Sequence, residues 1–234
     1  MPTVLAPAAP QPTPPPTSTT PPPDRGKPRL RGWLHAGAAP LLLAASIVIL
    51  ALADGGAAKA AMAVYLATSL LLFGHSATYH LGRWSPRTAA VLRRIDHSNI
   101  YLFIAGTYTP LAVVCLSGRS RVVLLALVWG CALAGCLFRV LWMNAPRWLY
   151  VCLYIALGWG ALGWMPRFWQ VSGPAVVWLL LAGGLAYSLG AVVYARRRPD
   201  PSPGWFGFHE IFHACTVLAA ACHFTAIALA VCRA

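Results

Sequence analysis

Carboxylates are almost missing from this chain. Of 234 residues only five are acidic (Asp24, Asp54, Asp96, Asp200 and Glu210), and charged residues of either sign make up 10% against 59% hydrophobic ones. A soluble domain carries about 25% charged residues. The deficit excludes an ordinary soluble fold, and the mean hydropathy of +0.64 is that of an integral membrane protein. Paired cysteines are missing too. The seven cysteines (115, 131, 136, 152, 215, 222 and 232) lie in apolar segments without a CxxC spacing, which argues against a disulfide framework or a thiolate metal site and favours small core or lipid-facing side chains. No convincing internal repeat is present. Residues 1–24 lack the basic-then-apolar order of a cleaved signal peptide; they hold ten prolines among Thr, Ser and Gln, so residues 1–30 are expected to form a disordered, proline-rich cytoplasmic tail.

What is there is apolar sequence in long runs. From residue 31 to 234 seven runs are long enough to cross a hydrocarbon core of about 30 Å, at about 33–53, 58–80, 97–117, 120–142, 148–166, 174–195 and 208–232. The expected fold is an all-α integral membrane protein, a seven-transmembrane-helix bundle. Its fifth span is the weakest, loosened by Gly158, Gly160, Gly163 and Pro166.

The 18 Lys and Arg residues give a net charge of +13. In a soluble chain that excess would suggest nucleic acid. Here the basic residues punctuate apolar runs, so they read as topology signals and headgroup contacts, and no nucleic-acid partner is expected. Arg25, Lys27, Arg29 and Arg31, then Arg83, Arg87, Arg93 and Arg94, then Arg139 and Arg147, then Arg196, Arg197 and Arg198 fall on one side, against Lys59, Arg119, Arg121, Arg167 and Arg233 on the other. The side richer in Lys and Arg faces the cytoplasm. The N-terminus is therefore expected inside and the C-terminus outside, opposite to a G-protein-coupled receptor.

That topology gathers scattered polar residues at one membrane depth. His80 closes the second span, Asp96 opens the third, and His209 and His213 open the seventh. Residues four apart on a helix share a face, so His209 and His213 can point at one atom, and Ser76 stacks one turn below His80. Three imidazoles are the ligand set of one class of catalytic zinc site, which keeps a fourth position for water. Asp96 is then placed to orient that water and take its proton, with Ser76 donating to the water or to a developing oxyanion. Neutral imidazoles suit a bilayer edge, where each added charge needs compensation. Any one of these histidines would read as an interfacial polar residue; their coincidence in depth is what points to Zn²⁺.

The other polar residues read more plainly. Glu210 lies about 100° round the helix from His209 and is expected to pair with an Arg. His97 is either a supporting partner of the site or an interfacial group, and His35 and His75 read as interhelical hydrogen-bonding groups. His223, ten residues past His213 and so about 15 Å deeper, is too far along the axis to share the metal. The ten tryptophans read as interfacial belt and packing residues. In IAGTYTP, residues 104–110, Gly106 permits close helix approach, Pro110 frees a carbonyl, and Thr107 and Thr109 can satisfy freed backbone groups.

The motifs SATYH (76–80), DHSNIYLFIAGTYTP (96–110) and HEIFHACTVLAAACHF (209–224), in this order across seven spans, resemble the hemolysin III family of bacterial membrane proteins, which belongs with the progestin and adipoQ receptors. The resemblance covers about 30–234. It implies a seven-helix bundle with zinc near the cytoplasmic face: the family's S-x-x-x-H, Asp and H-x-x-x-H pattern falls on Ser76 and His80, on Asp96, and on His209 and His213, without departure. Adiponectin receptors of this superfamily are regarded as ceramidase-like hydrolases, and its alkaline ceramidase relatives use a similar metal constellation. The expected function is a metal-dependent hydrolase of lipid amide or ester bonds, its substrate a membrane lipid entering sideways from the inner leaflet. The alternatives are a non-catalytic, metal-stabilised receptor or membrane-homeostasis regulator and, less in keeping with seven ordinary spans and no ring of charge, a pore-forming cytolysin. Abundant Ala, Arg and Pro suggest a GC-rich bacterium and so the plasma membrane.

Overall fold

A backbone in lipid has no water to satisfy its amides and carbonyls, so apolar runs of this length must close their hydrogen bonds within themselves, as helices. The computed structural model describes residues 28–233, so most of the proline-rich tail expected over 1–30 lies outside the described residues. Among these residues seven helices are long and apolar enough to span a membrane: α1 (Trp33–Leu52), α2 (Gly55–Leu81), α3 (Pro86–Cys115), α4 (Gly118–Leu141), α5 (Arg147–Ser172), α6 (Pro174–Arg196) and α7 (Phe208–Val231). Five of the six connections are five residues or shorter, so successive helices run antiparallel. The N-termini of α1, α3, α5 and α7 and the C-termini of α2, α4 and α6 therefore share one end of the bundle, and all the candidate metal-site residues belong to that end.

The helices close a ring, α1 packing on both α2 and α7, with α3 drawn inward against α2, α4, α5 and α7. Burial agrees: 72% of the apolar window of α3 is buried, against 17% for α1. The close α2–α3 approach depends on Gly106, where an added Cβ would overlap the Thr68 side chain. Within α3 the Thr107 and Thr109 hydroxyls donate to the Phe103 and Ala105 carbonyls at 2.8 and 2.9 Å, which lets two polar side chains sit in the core without orphaned groups.

Three local departures from simple spans shape the site. First, α3 starts at Pro86, ten residues before Asp96. The Ser85 hydroxyl accepts from Thr88 N at 3.2 Å, and Pro86 follows in the first turn, a start signal of capping hydroxyl and preset φ. Asp96 thus projects from within a helix. Secondly, α2 contains a π-helical turn at Leu70–Gly74 before resuming as an α-helix over His75–Leu81. The Asn99 amide donates to the Leu71 carbonyl there at 2.6 Å, so α3 braces the bulge that sets the rotation of Ser76 and His80. Thirdly, α5 is interrupted between Arg147–Gly158 and Met165–Ser172 by the glycine-rich stretch and a 3₁₀ turn at Leu162–Trp164. All seven cysteines are free thiols.

Candidate metal centre

His80, in the last turn of α2, and His209 and His213, in the first turns of α7, bring one ring nitrogen each to within 4.8 Å of one another. The Nε2 atoms of His209 and His213 stand 3.0 Å apart, and the His80 ring centroid lies 5.0 and 5.2 Å from theirs. Nitrogens held about 2.0–2.1 Å from a tetrahedral ion are about 3.3 Å from each other. The triad meets that spacing with small side-chain adjustments, and its all-imidazole donor set suits zinc and other first-row ions. These three residues could hold a metal ion.

The carboxylate and hydroxyl expected beside the triad are there. Asp96 Oδ2 is 3.9 Å from His80 Nε2, and the Ser76 hydroxyl, one turn below His80, is within hydrogen-bonding reach of Asp96. Ser76 and His213 are each 2% exposed, while His80 and Asp96 are each 9% exposed. A site this dry strengthens every charge interaction inside it.

The segment before α1 covers this end. Glu210, 0% exposed, accepts from Arg31 Nε and from Gly207 N at 2.8 Å, satisfying an amide at the α7 N-terminus while pairing with the arginine expected for it. Arg29 N and Leu30 N donate to the Gly204 and Trp205 carbonyls at 3.1 and 3.2 Å, so residues 29 and 30 are tied to the α6–α7 connection. Gly32 follows with φ 89°, and a Cβ there would stand 2.8 Å from His80 Cβ. Both the left-handed backbone and the close approach to a candidate ligand require glycine. Glu210→Gln is expected to destabilise the protein by about 2 kcal/mol, the scale of a hydrogen bond to a charged group, read as a lower midpoint of thermal unfolding in detergent; an unchanged midpoint would show that the Arg31 strap contributes nothing.

Other histidines take different places. His35 stacks on His213, with centroids 3.8 Å apart and planes 11° from parallel, and neither of its ring nitrogens has a hydrogen-bond partner among the described residues. It packs where an interhelical hydrogen bond was expected. His75 Nε2 makes such a bond, to Leu92 O at 3.0 Å. His223 contacts Leu180 O at 3.0 Å, away from the triad. His97, next to Asp96, accepts a hydrogen bond at Nδ1 from Arg139 Nη2 at 2.6 Å. Sequence reasoning missed Arg139, which reads as a topology signal and is 1% exposed in the structure.

A family model described as Haemolysin-III related matches residues 24–224 of this chain. The chain belongs to the haemolysin III family. A "Hemolysin-3 homolog" of Bacillus subtilis is 34% identical over 147 residues, 62% of this chain and 64% of that protein. A "Hemolysin-3" of Bacillus cereus is 34% identical over 151 residues, 63% of this chain and 68% of that protein. The alignment thus spans less than two thirds of the first relative. A "Progestin and adipoQ receptor-like protein 1" of Caenorhabditis elegans is 28% identical over 188 residues, 72% of this chain and 43% of that protein. With seven apolar helices and bacterial kin, this haemolysin III family member is a multi-pass protein of the plasma membrane, related to the progestin and adipoQ receptors.

Proposed function

We propose that this protein is a zinc-dependent hydrolase of lipid amide or ester bonds, acting at the cytoplasmic face of the membrane. The observation that carries the reading is the open donor set: three imidazoles converge, and a buried carboxylate stands beside them at 3.9 Å from His80. Zinc held this way supplies Lewis acidity, which acidifies a water and polarises a carbonyl. The chain's own residues supply the rest. Asp96 takes the proton of the attacking water and returns it to the leaving amine or alcohol. Ser76 holds the Asp96 carboxylate in place, and the strap of Arg31 and Gly32, with His35 of α1 stacked on His213, keeps bulk water away from the triad.

The excess of Lys and Arg at this end supports its placement in the cytoplasm. A cavity between α3, α5, α6 and α7, lined by Ile104, Tyr154, Phe212 and Thr216 among others, offers apolar space next to the helix face that carries His213, suited to part of an acyl chain. The test is fatty-acid release from a broad panel of lipids by liposome-reconstituted protein, with zinc and with a chelator. Zinc-dependent release is expected; its absence across the panel would overturn the enzymatic reading. The competing reading is a metal-stabilised receptor in which Asp96 closes the fourth position, and it draws on the same 3.9 Å approach to His80. A mostly apolar lining gives a pore no support.

A further inference from the structure

We propose that Arg139 anchors a second site, which binds the phosphate oxyanion of an anionic lipid headgroup beside the metal centre. The motive is a charge that nothing inside the described residues balances. Arg139 lies in the last turn of α4 and is 1% exposed. Its Nη2 meets His97 Nδ1 at 2.6 Å, and its guanidinium lies over the Tyr150 ring, 4.3 Å from the centroid. The Nε and Nη1 donors are buried without a partner.

Four acidic residues are described, and each is occupied or distant. Asp96 faces His80 and Glu210 pairs with Arg31; Asp200 accepts from Phe208 N; Asp54 precedes α2 at the opposite end of the bundle. A buried guanidinium without a carboxylate is costly, and more so at membrane depth. If its task were only to hold His97, a neutral amide would do so without that cost. The planar fork keeps two further donors, the pattern that suits phosphate oxygens.

The surroundings fit a headgroup. Arg139 shares the bundle end of the metal centre, and its partner His97 adjoins Asp96 in the chain. Arg147 lies over the Tyr194 ring, 4.7 Å from the centroid, and donates to Tyr194 O at 3.1 Å; the Tyr194 ring in turn packs edge-on against His209, with centroids 5.5 Å apart. Two arginines thus lie on tyrosines at this end of the bundle, and the Arg147–Tyr194 pair reaches the triad through His209. An anchored phosphate would hold the linkages of a phospholipid near Asp96. This names the headgroup class for the hydrolase reading and rests on it for the lipid's role as substrate.

The test is thermal unfolding of the full chain in neutral detergent with added phosphatidylglycerol, phosphatidylcholine or inorganic phosphate, for wild type, Arg139→Met and Arg139→Lys. Phosphatidylglycerol is expected to raise the wild-type midpoint by about 4 °C over phosphatidylcholine. Arg139→Met is expected to match wild type in phosphatidylcholine and lose the rise, with Arg139→Lys retaining part of it. An equal rise in wild type and Arg139→Met, or no rise in wild type, overturns the site. Should Arg139→Met fail to fold, the same comparison is read on Arg139→Lys, where a full, undiminished rise overturns it. A full rise with inorganic phosphate alone overturns the lipid assignment in favour of a soluble anion. The midpoints are read with zinc and with chelator and need no turnover, so they stand apart from the hydrolysis assay.

Discussion

His213→Ala is expected to abolish metal binding, reducing metal from about one ion per chain to below a tenth of that in protein reconstituted with zinc and desalted, by mass spectrometry. His80→Ala should do the same from the other helix. In the proposed site three imidazoles would hold the ion, and removing one leaves two donors on one helix or one on each of two, neither of which fixes a tetrahedral site. The effect on stability follows by linkage: a ligand present at a thousand times its dissociation constant adds about 4 kcal/mol to the folded state, so a chelator should lower the wild-type midpoint clearly and leave both variants unmoved. His75→Ala is the control, since its ring bonds Leu92 O and is outside the triad. Retention of metal by both His80→Ala and His213→Ala would show that the ion, if bound, sits elsewhere.

The histidine triad was legible in the sequence because two simple periodicities intersect. Hydropathy alone places seven spans, alternation of direction then fixes which helix ends meet, and the four-residue spacing of His209 and His213 puts both on one face. Glu210 was legible by the same angular reasoning, though its partner Arg31 lies 179 residues away, where no local pattern reaches. The α3 start is different. Arg87, Arg93 and Arg94 interrupt the apolar run, so a hydropathy window ends the helix near residue 97, while the signal that carries it back to Pro86 is chemical: Ser85 as cap and proline after it.

Arg139 and the π turn of α2 mark where sequence reasoning stops. A basic residue near a span end is ordinarily a headgroup contact. Only tertiary packing turns Arg139 inward under Tyr150, and nothing in the sequence around it announces that burial. The π turn at Leu70–Gly74 is likewise stabilised from another helix, through Asn99. Both features rest on contacts between helices, Arg139 with His97 and Tyr150 and the π turn with Asn99, which is why a reading of spacing and depth finds the triad and passes over them.

Asp96→Asn separates catalysis from structure. The amide keeps the shape and volume of the carboxylate but cannot take a proton, so hydrolysis should fall by about 10²–10⁴-fold, the usual contribution of a positioned general base. Metal content and the chelator-sensitive part of thermal stability should stay at wild-type levels, because the three imidazoles remain. Ser76→Ala tests the same chain of contacts one step back: it frees the carboxylate that the hydroxyl steadies, so turnover should fall by a smaller factor with metal retained. The receptor reading makes the opposite forecast. If Asp96 closes the fourth position, its amide variant loses metal and stability together, and no lipid is cleaved by wild type either. A variant that keeps its zinc and loses turnover would make Asp96 the proton acceptor; one that loses both would make it a ligand.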